Sequence, residues 1–357
     1  MANSTHARLD SIQLLRAIAA LVVVWDHAVL ELQHFHVLEQ STFTLVSSMG
    51  RAGVDIFFVI SGFVMVYVSW EHFQEKGESG RFILRRIFRV VPVYWFYTSL
   101  MLLVVVLSPS LIRGGEHSLA FILGSYFFIP VENPGGDGFH PLLGLGWTLN
   151  YEMFFYVLFT PFLFLRRFRA VLGLAVCFIL LTFAGRFLES ADGAVWVWTR
   201  PIILEFAAGC VLAALYLSGW RMRRMWGLLL VAMALCWLVY AGLFWNRGGP
   251  DIRVVVTGIP ATVIVAGFLF GLPVASGSGA LVRGLVMLGD ASYSLYLVHM
   301  FVIRAVTKFL SHIGLGDTLH AVLFLMAVLL LCITVAMLSY RLIERPSNRF
   351  LRNWSRV

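Results

Sequence analysis

The sequence predicts an all-α, polytopic membrane protein: about ten transmembrane helices, one further short re-entrant or surface helix, and both termini cytoplasmic. Three observations predict it. Of 357 residues, 60% are hydrophobic and only 13% charged, and a soluble chain of this length has too little interior to hide that much apolar surface. Apolar runs of about 20 residues, the length that crosses a hydrocarbon core as helix, recur along the chain. The runs also lack the period-two alternation of barrel strands.

The runs lie near 12–33, 50–70, 90–108, 119–130, 147–165, 170–188, 201–218, 226–245, 254–272, 285–306 and 319–340. The first, within LDSIQLLRAIAALVVVWDHAVLEL, holds Arg16, Asp26 and His27 and has no cleavage signature, so it reads as a span and not as a removable signal. The second, GRAGVDIFFVISGFVMVYVSW, carries Asp55. The third opens on RFILRRIFRVVPVYW, with Arg85, Arg86 and Arg89 at its start. The run at 119–130 is too short to cross as a simple helix. The fifth, GWTLNYEMFFYVLF, carries Glu152, and the seventh carries Glu205.

Loop charge sets the topology. Basic clusters fall at 76–89, 166–169, 221–224 and in the tail from 341, and the positive-inside rule makes all four cytoplasmic. They share one side of the membrane only if the 119–130 run does not cross, which leaves ten spans. The formal charge of +8 is then explained by cytoplasmic loops, with no need for a nucleic-acid partner. Cys177, Cys210, Cys236 and Cys332 are scattered through apolar runs, with neither disulfide nor metal spacing. No internal repeat and no linker is visible, so the chain reads as a single membrane-embedded domain, 1–357, without a fused soluble domain.

Ionisable residues inside spans cost about 2.5–3.5 kcal/mol each on insertion scales, so they face cavities or one another. Arg16 and His27 are eleven residues apart, close to three turns and about 16 Å, which puts them on one helix face. With the predicted topology, His27, Asp55, Glu152 and Glu205 fall at similar depth in the outer part of the membrane. Arg85, Arg86 and Arg89 form a basic rim on the cytoplasmic side, with Arg16 near it. A rim of this kind suits a polyanionic ligand, and a histidine beside carboxylates suits general-base work. Position alone leaves blander readings open: a helix–helix hydrogen bond for His27, lipid headgroups for the arginines, backbone capping or pairing with Arg51 for Asp55 and Glu152, close packing for Ser61–Gly62. Asp26, about 100° around the helix from His27, is expected to pack against a neighbouring helix and a basic group there. His34 and His36 are expected to face water in an outer loop, and no metal site is expected.

Six stretches in chain order resemble the acyltransferase 3 family of integral membrane acyltransferases: LDSIQLLRAIAALVVVWDH with Arg16 and His27, GVDIFFVISGF with Phe57, Phe58, Ser61 and Gly62, RRIFR with Arg86 and Arg89, WTLNYEMFFY with Trp147 and Glu152, LGDASYSLYLVH, and IERP. The resemblance covers about residues 9–346. It implies transfer of an acyl group, usually acetyl from acetyl-CoA, to a hydroxyl of an extracytoplasmic or lipid-linked carbohydrate, and looks most like bacterial exopolysaccharide O-acetyltransferases of the inner membrane. Implied roles are donor-phosphate binding by Arg86 and Arg89 with Arg85 and Arg16 adding charge, and His27 as general base or acyl acceptor with Asp55 or Glu152 orienting it or binding sugar hydroxyls. Acetyl-CoA is a co-substrate, and no tightly bound cofactor or metal is expected. The resemblance leaves succinyl transfer open, and the intramembrane charges alone also fit a permease for a lipid-linked sugar or small solute. Polysaccharide-assembly proteins are plausible partners.

Overall fold

The computed structural model describes residues 9–33, 40–107, 118–136, 138–244, 250–274, 279–311 and 318–349. His34 and His36 lie outside the described residues. Among those described there is helix and no strand. Seven helices are long and apolar enough to cross a membrane, and eight spans result if one bent helix pair counts as one. The surface is apolar in the way lipid requires: Leu107, Phe187, Phe244 and Leu281 are 71–77% exposed, whereas Asp55, Glu78, Arg86, Glu205 and His299 are buried. The protein is a multi-pass membrane protein.

The chain divides into two compact units, Met1–Val68 with Glu205–Tyr340, and Ser69–Leu204 with Arg341–Val357. The first unit is built on α1 (Asp10–Gln33) and α2 (Gln40–Ser69). Its later helices are α8 (Leu204–Leu217), α9 (Arg224–Phe244), α10 (Pro250–Arg253), α11 (Ile259–Gly271), α12 (Ala280–Asp290), α13 (Ser292–Ser311) and α14 (Thr318–Ser339). Helix α1 packs against α11, α12, α13 and α14, so polar residues on it face protein. A π-helical turn, Val254–Gly258, joins α10 to α11, the kind of irregularity that often marks a functional site. Helices α12 and α13 meet at 80°.

The second unit holds α3 (Glu78–Leu107), α4 (Leu119–Phe127), α5 (Trp147–Phe162), α6 (Arg167–Ala184) and α7 (Ala194–Trp198). Helix α4 is nine residues long, capped by Ser118 and ended by Phe128 in the left-handed region. At about 1.5 Å per residue it reaches less than half of a hydrocarbon core, in line with the short run at 119–130. Helix α5, with 16 residues, and Pro201–Leu217 fall short of the usual span length, which is why the structure yields seven or eight spans by length where the hydropathy pattern suggests ten.

Candidate active site

In the first unit, α1 is unbroken through Arg16 and His27, so the spacing read from the sequence holds. Arg16 Nη1 donates to Gln13 Oε1 at 3.2 Å. His27 Nδ1 lies 2.9 Å from the Val23 carbonyl oxygen. A carbonyl only accepts, so Nδ1 carries the proton and Nε2 keeps its lone pair. That is the tautomer a general base needs. The partner of Nδ1 is therefore a backbone carbonyl, where the sequence suggested a carboxylate. The helix supplies it because a helical side chain leans back over the preceding turn.

A second histidine, absent from the sequence-based set, stands beside the first. The rings of His27 and His299 have centroids 5.0 Å apart at 61°. His299 is completely buried, its Nδ1 lies 2.7 Å from the Tyr296 carbonyl oxygen, and its Nε2 has no hydrogen-bond partner. Tyr296 packs beside His299 at 5.9 Å and edge-on to Phe57 at 6.3 Å. Phe57, in the FFVISG stretch, thus supports the histidine pair from α2. Phe58 stacks on Phe206 of α8 at 4.7 Å. Gly62 lies so close to the Phe206 carbonyl that no Cβ would fit, and Gly209 meets the Val59 carbonyl in the same way. Close approach of α2 and α8 is the use of Gly62. Ser61 is half-buried.

Asp55 does not address His27. It is completely buried. One carboxylate oxygen accepts from Arg253 Nη2 at 2.6 Å and Nε at 3.1 Å, and the other accepts from the Thr257 hydroxyl. Both oxygens are thus engaged, in a charge-assisted pair between α2 and the end of α10, with the π-turn adding Thr257. Arg51, one turn before Asp55, is within electrostatic reach of Asp26, Asp55 and Arg253. Asp26 packs on α2 as expected: its side chain occupies the space that a Cβ on Gly50 would fill. Glu205 is buried. It sits beside Asp55 and Arg253, against Gly258, whose missing side chain makes room for it.

In the second unit the basic run opens α3. Arg85 pairs with Glu78, and Arg81 Nε donates to the same carboxylate at 3.0 Å. Arg86 is different: it is buried, with Nε and Nη1 lacking any hydrogen-bond partner, and its guanidinium lies 5.7 Å from the Phe82 ring centroid. Arg89, Tyr156 and Glu152 are within its electrostatic reach. Glu152 accepts from the Tyr156 hydroxyl. Trp147, the first residue of α5, packs edge-on to Tyr151 at 6.0 Å. A buried guanidinium with open donors has the chemistry to hold an anion. Among the described residues, His72, Glu75 and Glu78 form the one group with metal-like donor spacing. Arg81 contacts both carboxylates there and Arg85 contacts Glu78, so arginine already supplies the positive charge.

Comparison with known proteins then gives the context. The acyltransferase 3 family profile, described as an acyltransferase domain, matches residues 9–341. The chain is 36% identical to the exopolysaccharide production protein ExoZ of Rhizobium meliloti (strain 1021), over 85% of this chain and 90% of that one. It is 27% identical to the acyltransferase MdmB of Streptomyces mycarofaciens, over 96% and 92%. It is 25% identical to the O-acetyltransferase OatA of Staphylococcus aureus (strain NCTC 8325 / PS 47), over 85% of this chain but only 53% of that one, so it spans about half of OatA's length. No solved structure matches the chain.

Proposed function

The chain belongs to the acyltransferase 3 family and is an acyltransferase, and from that premise we propose that it moves an acetyl group from cytoplasmic acetyl-CoA to a hydroxyl of an extracytoplasmic or lipid-linked glycan. The observation that carries this reading is the Nδ1–H bond of His27 to Val23, which leaves the Nε2 lone pair available within a helix of a membrane protein. In this mechanism the acceptor O–H gives its proton to His27 Nε2 as the oxygen attacks the thioester carbonyl. The C–S bond breaks, and CoA departs as thiolate, to be protonated on leaving. Arg86 and Arg89 hold donor phosphates, and the two open N–H groups of Arg86 favour that assignment. Arg85, tied to Glu78, contributes long-range charge alone, as does Arg16.

In this proposal the carboxylates act around the base and the donor site, not on His27 directly. Asp55 fixes Arg253 and the π-turn rather than His27. Glu152, held by Tyr156, borders the anion site. The similarity to an exopolysaccharide production protein and to an O-acetyltransferase favours a surface polysaccharide as acceptor; the apolar runs and basic loop clusters favour the bacterial inner membrane as location, with a single catalytic domain, ten spans and both termini inside. Reporters fused after residues 80 and 222 then read cytoplasmic, and one after 138 reads external. The test of function is CoA-thiol release by purified protein given acetyl-CoA and a glycan acceptor, with mass spectrometry of the glycan. Transfer of succinyl in place of acetyl corrects the donor, and transport of the glycan without CoA release refutes the enzyme reading for this substrate. Acid quench during turnover separates direct transfer from an acetyl-His27 intermediate.

A further inference from the structure

We propose that Tyr156 is a positioning residue that keeps the donor site open, by holding the Glu152 carboxylate off Arg86. This rests on the reading of Arg86 as a donor-phosphate site. Arg86 is buried, and its Nε and Nη1 have no hydrogen-bond partner. Buried charged donors left open are costly, so they are rare and call for a reason. The other arginines nearby on α3 do find an acid: Arg81 and Arg85 both bond Glu78. Arg86 also has a carboxylate within electrostatic reach, Glu152 on α5. That carboxylate accepts instead from the Tyr156 hydroxyl, one helical turn further on.

The packing shows why the tyrosine can hold this position. Tyr156 is 2% exposed. Its ring meets Phe82 edge-on at 6.3 Å and lies 6.1 Å from the Phe155 ring. Phe82 is fully buried and is the same ring that lies 5.7 Å from the Arg86 guanidinium. One phenylalanine therefore fixes both the tyrosine and the arginine. Glu152 and Tyr156 are four residues apart on α5, so they share a helix face and their bond is local to that helix. The hydroxyl is a neutral donor. It anchors the carboxylate while the positive charge of Arg86 stays uncompensated by an ion pair. A phosphate can then take the open N–H groups directly, with no internal ion pair to break first, which is pre-organisation of the site for its ligand.

The test is isothermal titration of acetyl-CoA into the full-length protein, with thermal unfolding of the same samples. Tyr156→Phe keeps the ring and removes only the hydroxyl. Glu152 is then released to bond Arg86, and acetyl-CoA affinity is expected to fall about 10–150-fold, the worth of one hydrogen bond to a charged group. The Tm is expected to hold, since a new pair replaces the lost bond. Adding Glu152→Gln to Tyr156→Phe is expected to restore affinity, because a neutral amide cannot neutralise Arg86. In an Arg86→Met background, Tyr156→Phe is expected to weaken binding no further. Wild-type affinity in Tyr156→Phe overturns the proposal. So does a loss that Glu152→Gln fails to rescue, or one that persists in the Arg86→Met background, since either marks Tyr156 as packing or as a donor contact of its own. Arg86→Met by itself separates the two readings. If it weakens acetyl-CoA binding while Tyr156→Phe does not, the donor site stands and the role of Tyr156 falls. If Arg86→Met binds acetyl-CoA as the wild type does, both fall.

Discussion

Replacing Asp55 by alanine tests the buried charge network at its centre. Asp55 has no exposed surface and accepts two bonds from Arg253 and one from Thr257. Its removal leaves Arg253 facing Arg51 without the carboxylate between them. Removing one partner of a buried, hydrogen-bonded pair costs up to about 3–5 kcal/mol, with Glu205 beside Arg253 offsetting part of the lost charge. With an unfolding entropy of about 2 cal/mol/K per residue, that is a fall of roughly 4–12 °C in apparent Tm, the larger figure if only the first unit melts. The assay is thermal unfolding of the purified protein in detergent, followed by size-exclusion recovery. Asp55→Asn keeps the shape and is expected to lose about half as much. Arg253→Met alone destabilises too, but added to Asp55→Ala it is expected to restore much of the loss, since the pair is then removed together. An unchanged Tm in Asp55→Ala, or strict additivity in the double variant, would refute the network.

Arg86→Met is expected to raise Tm while weakening acetyl-CoA binding about 10-fold or more, because a buried guanidinium with open donors destabilises the empty protein and holds the donor; isothermal titration and Tm together check it, and unchanged values of both dismiss the anion site. Gly62→Ala inserts a methyl into the Phe206 backbone and is expected to cost about 1–3 kcal/mol, read as a lower Tm with acetyl-CoA affinity preserved; a Tm equal to wild type shows that α2 and α8 are not in this contact. Asp26→Asn keeps the packing on Gly50 and is expected to retain most transfer activity, whereas loss equal to that of His27→Ala moves the chemistry to Asp26.

Much of the architecture was legible because lipid writes it directly: run length and the nine-residue α4 both follow from transfer energies and the rise of a helix. The relation of His27 to Arg16 was legible because both sit on one helix, where periodicity is a measuring rule. The facing of Asp26 toward another helix followed from the same rule. What the sequence hid was pairing between distant segments. Nothing in local pattern couples Asp55 to Arg253 and Thr257, about 200 positions away, and a depth argument grouped Asp55 with His27 when its bonds run elsewhere. His299 is visible as a histidine inside an apolar run, at the end of SYSLYLVH, but no local pattern pairs it with a histidine on α1, far away in the chain. The carbonyl partner of His27 is a local one: a helix can satisfy its own side chain through the i−4 oxygen, which the readings of Asp55 or Glu152 as orienting groups leave out.

The most direct test of the account is a comparison of His27→Ala with wild type in single-turnover transfer from acetyl-CoA to glycan, alongside donor binding to the same samples. The base role predicts a fall in the transfer rate of about 10²–10⁴-fold with acetyl-CoA affinity unchanged and the protein still folded. A folded His27→Ala protein that transfers acetyl at near the wild-type rate contradicts it.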